Sequence, residues 1–319
     1  MERILIKDLG GHIGKTVSIS GWVSVRRDQG KMVFFDFRDR SGTVQGVVLP
    51  SEEPAMAVAK DVRAEYVVRV GGLVNERPAK NVNAGVLNGN IELQIQTMEV
   101  LGKAEPLPFD MSLTGYNLEL PTELDHRALT LRHPRLQAIF KVQAVIIDSF
   151  REFMKSQDFF EFQAPTIVPA TAEGGAEVFE VKYFDKKAYL SQSPQLYKQI
   201  VMTAFERVFS VNKIFRAEPS VTTRHLTEVV SLDAEMGFID SWKDVRDMAE
   251  NTVRFILDSV ATRCPAELKL LEATLPTMIE KTPTLSLAEA FAKLGVPQGN
   301  DLNPEQERKL CEVIKAETG

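Results

Sequence analysis

Only two of the 319 residues are cysteine and only four are histidine. Cys264 and Cys311 stand far apart, with no His or Cys neighbour at metal-ligand spacing, which excludes a zinc ribbon or a disulfide framework and leaves two reduced thiols. No uncharged run approaches the ~18 residues that a membrane helix needs, so no spanning segment and no membrane partner is expected. The N-terminus, Met1 to Lys15, is charged and patterned and holds no apolar core followed by a small-residue cleavage site, so a cytoplasmic location is expected. An excess of positive charge is also missing. The net charge is -6, divided as +2 over residues 1–103 (14 Lys and Arg against 12 Asp and Glu) and -8 over the remainder (24 against 32). Bulk charge therefore does not grip a nucleic acid here, and any RNA contact must be local and set by shape.

What is present fits a packed globule: 44% apolar and 26% charged residues in a chain longer than one hydrophobic core usually spans. Two domains are expected. Residues 15–100 read as short strands over Thr16–Val23, Met32–Arg38, Thr43–Leu49, Tyr66–Val74 and Ile91–Val100, rich in Val, Ile, Phe or Thr and punctuated by glycines, with a helix over Pro54–Arg63. About five strands in so short a stretch suit a closed barrel, because closure removes exposed edges. Residues 1–103 form this first domain. Residues 104–132, where Pro106, Pro108 and Pro121 interrupt a polar stretch, read as a hinge, and residues 133–319 as the second domain.

The second domain opens on a long amphipathic helix after Pro134, with Leu136, Ile139, Phe140, Ile146, Ile147, Phe150, Phe153 and Met154 at three- and four-residue steps. There follow an extended segment Glu161–Val168, a strand Ala188–Ser191, a helix Gln195–Phe205, two strands Arg207–Ala217 and Glu228–Ile239 around a polar loop, and a helix Trp242–Arg263. Side chains two apart on a strand share a face, so Arg216 and Glu218 can line one side of a sheet with Asp233 and Glu235 beside them. For any one of these charges a solvated surface would be the ordinary reading. Together with the strings around them they say more.

Phe215-Arg216-Ala217-Glu218, Thr223-Arg224-His225 and Leu232-Asp233-Ala234-Glu235-Met236 resemble motif 2 of the class II aminoacyl-tRNA synthetases. Phe160-Glu161-Phe162-Gln163-Ala164-Pro165, after the long helix, resembles motif 1, which in that family builds the dimer interface. Thr171-Ala172-Glu173-Gly174-Gly175-Ala176 and the run Tyr189 to Gln199 look like the aspartyl enzymes in particular. Gly21-Trp22-Val23, Arg26-Arg27-Asp28 and the run Phe34 to Gly42 resemble the OB-fold anticodon-binding domain that precedes the core in the aspartyl, asparaginyl and lysyl subgroup. Such strings in the right order are specific where one alone would be weak.

The resemblance implies an α+β chain: an N-terminal OB-fold β-barrel followed by a class II core, an antiparallel sheet flanked by helices, lacking its last strand and helix. It implies ATP and Mg²⁺ as cofactors, and tRNA(Asp), L-aspartate and, in some relatives, tRNA(Asn) as partners. Arg216 would be the catalytic residue, its planar fork holding the α-phosphate and the aspartate carboxylate. Glu218, Arg224 and His225 would bind ATP with it. Lys198 would face the side-chain carboxylate of aspartate. Asp233 would fix the ammonium with Gln195 and Ser193, and Glu173 beside Gly174 and Gly175 would close over the amino acid. In the barrel, Phe34 would stack an anticodon base while Arg27 and Gln45 read base edges, although the phase of Val33, Phe35 and Phe37 leaves a core position for Phe34 as a rival reading. Pro165 would lie in a homodimer interface.

The pattern departs from the family at two places. Nothing between Trp242 and Gly319 resembles the motif 3 string G-x-G-x-x-R or the acidic Mg²⁺-binding segment before it, so no metal ligand is expected in this chain, and a fragment that is inactive alone and prone to association is expected. Val229 stands where many relatives place an aromatic residue against adenine. Three rival readings are weighed against the aspartyl one. An asparaginyl enzyme shares both domains but gives no reason for a cation at Lys198, and a lysyl enzyme would need an acidic pocket instead. A non-catalytic, tRNA-binding paralogue would not need the amino-acid pocket.

Overall fold

Strict alternation of Val33, Phe35 and Phe37 with Phe34, Asp36 and Arg38 gives the strand Met32–Asp39 one buried and one outward face. This is the second of five strands in the first of two units, Met1–Asn117 and Leu118–Gly319, of a computed structural model that describes residues 2–111, 116–170, 178–217, 226–280 and 282–319. The strands β1 (Thr16–Gln29), β2 (Met32–Asp39), β3 (Gly42–Val48), β4 (Val67–Glu76) and β5 (Ile91–Gly102) close in the order β1-β2-β3-β5-β4. All neighbours are antiparallel except β3 and β5. The expected OB barrel is present.

Inward side chains of every strand fill it, among them Val17, Ile19, Phe35, Phe37, Val70 and Ile95. The rings of Phe35 and Phe37 stack at 5.5 Å. A Cβ on Gly46 would stand 2.7 Å from the Phe37 ring and 2.9 Å from Ile95 Cδ1, so the core is closed at that point by the absence of a side chain. Gly30, at φ +62°, turns β1 into β2. The helix α1 (Glu53–Ala59) is shorter than the expected Pro54–Arg63 and seals the barrel with buried Ala55 and Ala59.

The N-terminal 3-10 segment Ile6–His12 plugs the barrel through Ile6 and Leu9, both fully buried. Asp39 ties it down: its carboxylate accepts from the Ile6 N–H (3.0 Å), the Ser41 N–H (2.7 Å) and the Ser41 hydroxyl (2.5 Å), with Arg3 at 3.7 Å. Burial works to raise its pKa, but these hydrogen bonds and Arg3 outweigh it and leave the carboxyl below its ordinary value. A carboxyl lowered by folding stabilises fully above its unfolded pKa of ~3.9, and the contribution is lost as pH falls through the folded value. Asp39→Asn is therefore expected to destabilise the first unit at pH 7 by about 1–3 kcal/mol. The gap to wild type should shrink below about pH 4, read by urea unfolding across pH. A gap that persists unchanged in acid would contradict this role.

In the second unit, Pro134 starts α4 (Pro134–Ser156) at its first position, and the His133 side chain accepts from the Arg135 N–H at 3.3 Å. One face of α4, with Phe150 and Met154, packs on Phe209, Val211 and Leu232 of the antiparallel pair β10 (Arg207–Phe215) and β11 (Glu228–Met236), and Met248 and Ile256 of α6 (Trp242–Arg263) cover the same side. The helix α5 (Gln195–Phe205) contacts both strands. Capping boxes open α6 (Ser241 with Asp244), α8 (Leu287–Leu294; Ser286 with Glu289) and α9 (Pro304–Thr318; Asn303 with Gln306), and α7 (Pro265–Leu271) starts on a proline.

Three features differ from expectation. The extended segment around Pro165 is two short strands in two sheets: β6 (Phe160–Glu161) pairs parallel with β10, and β7 (Ile167–Val168) pairs antiparallel with β9 (Lys186–Leu190). Pro165 has no N–H to offer a ladder, and the chain changes sheets across it. A further strand, β8 (Glu180–Tyr183), forms a hairpin with β9. The stretch expected as a hinge contains α2 (Leu120–Asp125) and α3 (Arg127–Thr130), too short to show a period in sequence.

Candidate functional site

The β10–β11 register fixes the second unit's site. Ser210 stands opposite Asp233, Val208 opposite Glu235 and Asn212 opposite Ser231, so these side chains share the face turned away from Phe209 and Leu232. Lys198, one turn into α5, crosses to that face. Its ammonium donates to Asp233 at 2.9 Å and lies 3.5 Å from Glu235, with only 13% of its side chain exposed. Ser231 donates its hydroxyl to the other oxygen of Asp233 at 2.5 Å. Expected Lys198 and Asp233 are thus in direct contact. Glu235 and Ser231 were not among the expected ligands, although their two-residue spacing from Asp233 on one strand carries the signal.

Ser193 and Gln195 begin α5, where the Gln195 N–H donates to the Ser193 hydroxyl at 3.2 Å. The segment before them is pinned from both sheets. The Ser191 N–H donates to Thr166 O at 2.8 Å, the Phe215 N–H donates to Ser191 O at 2.8 Å, and the Ser191 hydroxyl donates to Ser193 O at 2.7 Å. Val168, Ala170, Leu190, Gln192, Ser193 and Tyr197 line a pocket at this end of α5. The Arg216 N–H donates to Thr227 O at 3.0 Å, one rung beyond β10, which places the exposed Arg216 on the same phase as Ser210. Val229 stands opposite Ile214, so the sheet face between Arg216 and Asn212 is aliphatic. Glu173, Gly174, Gly175, Glu218, Arg224 and His225 lie outside the described residues. Pro165 lies between β6 and β7; Phe160 of β6 stacks on Phe205 with the rings 4.2 Å apart, both exposed, and Ile167 of β7 is exposed too.

A second cluster forms on the outer barrel wall of the first unit. Arg27 stands opposite Phe34 across β1 and β2, and Asp36 opposite Gln45 across β2 and β3. Arg27 donates to both oxygens of Asp36, at 2.7 and 2.9 Å. That hydrogen-bonded pair, against partial burial and with the charge of Asp36, raises the pKa of Arg27. Phe34 is half-buried on this outward face rather than in the core. The three expected residues, Arg27, Phe34 and Gln45, are neighbours, and Asp36 was not foreseen.

Barrel and core match two known families in order. Residues 17–101 match the OB-fold nucleic acid binding domain, and residues 119–319 match the tRNA synthetases class II (D, K and N). The chain belongs to that class II synthetase family. It is 40% identical to the Aspartate--tRNA(Asp/Asn) ligase of Thermus thermophilus, over 99% of this chain and 73% of that protein. It is 38% identical to the Aspartate--tRNA(Asp) ligase of Pyrococcus abyssi, over 96% of this chain and 70% of that protein. Among solved structures, the asparaginyl-tRNA synthetase of Pyrococcus horikoshii complexed with asparaginyl-adenylate superposes with a TM-score of 0.84 at 31% identity, covering 98% of this chain and 72% of that one.

Proposed function

We propose that the chain carries the anticodon-binding domain and the amino-acid-activating site of an aspartate–tRNA ligase, which couples ATP to the activation of L-aspartate and transfers it to tRNA(Asp), with tRNA(Asn) as a second acceptor. The observation that carries this reading is Lys198 held between Asp233 and Glu235. An ammonium has three donors. Asp233 accepts from one, so others remain for the side-chain carboxylate of aspartate, while Asp233 and Ser193 would accept from its ammonium. Gln195 would add to the ammonium site. The exchange is charge for charge, so the substrate enters without stranding an ion. An asparagine side chain would offer Lys198 a neutral oxygen where aspartate offers a charged one, which favours the acid over the amide.

In the first step an oxygen of the aspartate α-carboxylate attacks the α-phosphorus of ATP, the bond from that phosphorus to the pyrophosphate oxygen breaks, and pyrophosphate leaves. The carboxylate is already ionised at neutral pH, so positioning replaces a general base. Arg216 would hold both reactants and stabilise the charge gathering at phosphorus, with Arg224 and His225 at the γ-phosphate end of ATP, Glu218 touching ATP and the tRNA acceptor end, and Glu173 closing over the amino acid. In the second step a terminal ribose hydroxyl attacks the aspartyl carbonyl and AMP departs. The reading calls for Mg²⁺, but among the described residues no three His, Cys, Asp or Glu side chains come together to hold it, so no step here is routed through it. Arg27, Phe34 and Gln45 would read the anticodon. A second copy would cover the Pro165 segment with Phe160, Phe205 and Ile167, giving a homodimer. No helix among the described residues is long and apolar enough to cross a membrane.

Because residues 242–319 hold no string resembling motif 3, these 319 residues alone are expected to give no ATP–pyrophosphate exchange. The same residues, which cover 73% of the Thermus relative, joined to the part of it that they leave uncovered, are expected to give exchange that depends on aspartate. Exchange driven by asparagine or lysine instead would overturn the reading.

A further inference from the structure

The outer wall of the barrel holds a device that the family comparison does not assign. Arg27 and Asp36 form an end-on pair in which one N–H from each terminal nitrogen of Arg27 meets one carboxylate oxygen, at 2.7 and 2.9 Å. A guanidinium has five donors in a rigid plane, so this pairing leaves its side edge, with Nε, as a second fork. The plane is no longer free to swing, and the remaining fork lies on the wall that carries Phe34 opposite Arg27 and Gln45 opposite Asp36. Both partners are partly exposed, Arg27 at 40% and Asp36 at 30% of the side chain, so the cluster faces outward and can meet a ligand.

We propose, resting on the anticodon reading above, that Asp36 is a positioning residue that makes Arg27 a reader of a base edge rather than a clamp for phosphate. An exposed arginine alone on an RNA-binding surface meets phosphate as readily as a base. A carboxylate paired to it cancels its charge and repels a phosphate, while the free fork still fits two adjacent neutral acceptors, such as O6 and N7 of guanine. Phe34 supplies the face on which an unstacked base lies, and the Gln45 amide, which both donates and accepts, can meet a neighbouring base edge. The ligand class is therefore an unpaired purine with two adjacent acceptors, in a single-stranded loop.

The test is binding of the full chain to RNA hairpins carrying the aspartate anticodon, with each loop guanine replaced in turn by 7-deazaguanine, which lacks the N7 acceptor. For wild type, one replacement is expected to weaken binding on the order of tenfold to a hundredfold. Asp36→Asn is expected to reduce that penalty to below about threefold and to steepen the dependence of log affinity on log salt by roughly 0.7, the mark of one gained phosphate contact. Arg27→Lys, which keeps the charge and loses the fork, is expected to lose the penalty as well. Thermal unfolding of each variant checks that the barrel is intact. If Asp36→Asn keeps both the penalty and the salt slope, or if no replacement affects wild type while Phe34→Ala still weakens binding, the role of Asp36 is wrong and the anticodon reading stands. If Phe34→Ala binds the hairpins as wild type does, the anticodon reading fails and this proposal with it.

Discussion

Lys198→Met is expected to weaken binding of aspartyl-sulfamoyl-adenosine, a non-hydrolysable mimic of the aspartyl adenylate, by a hundredfold or more. Two losses add. The side-chain carboxylate of the ligand loses the charged donor that this reading gives it, and Asp233 and Glu235, at 18% and 26% side-chain exposure, lose the cation between them. Removing one partner of a desolvated, hydrogen-bonded pair costs about 2–5 kcal/mol, much of it from the charges left behind. The asparaginyl mimic should weaken less, by about tenfold, because only the second loss applies to it. Isothermal titration of both mimics, with a melting curve for the variant, separates lost recognition from lost folding. Equal losses for the two mimics would place Lys198 in the scaffold and not in the recognition of the acid.

Phe37→Ala carries the largest expected effect on stability, about 3–5 kcal/mol for the first unit. Phe37 is fully buried and stacked on Phe35, and Gly46, against its ring, has no side chain to collapse into the hole. Hydrogen exchange at the amides of β2 and β3 reports the loss directly, and hairpin RNA binding should disappear with the barrel. Phe34→Ala, one residue earlier on the opposite phase, is the control. It should leave the stability of the unit nearly unchanged while lowering RNA affinity by about 1–3 kcal/mol, the worth of one base stacked on an aromatic ring. Comparable destabilisation by both substitutions would mean that Phe34 belongs to the core.

That pair of phenylalanines also shows how far the sequence can be read. The two-residue period of Val33, Phe35 and Phe37 was legible, and so were the barrel strands, because each strand needs one apolar face and a turn residue at its end. The long helices were legible from their period and caps, down to the bounds of Gln195–Phe205 and Trp242–Arg263. The two-residue strands on either side of Pro165 and the short helices α2 and α3 were not, because no periodicity develops over so few residues. In the site, residue types and family strings named Lys198 and Asp233, but only the packing of α5 against β11 shows Glu235 beside the same ammonium. Asp36 was hidden for a similar reason: its link to Arg27 depends on cross-strand pairing, which a single sequence does not state.

The central claim is that Lys198, between Asp233 and Glu235, makes this an aspartate site. The most direct test is wild-type affinity for the aspartyl and asparaginyl mimics measured side by side on this chain, which requires no catalytic turnover. The aspartyl mimic is expected to bind more tightly by at least about tenfold, the value of one charge-assisted hydrogen bond. Equal affinities, or a preference for the asparaginyl mimic, would contradict it and identify the ion pair as a fixture of the sheet.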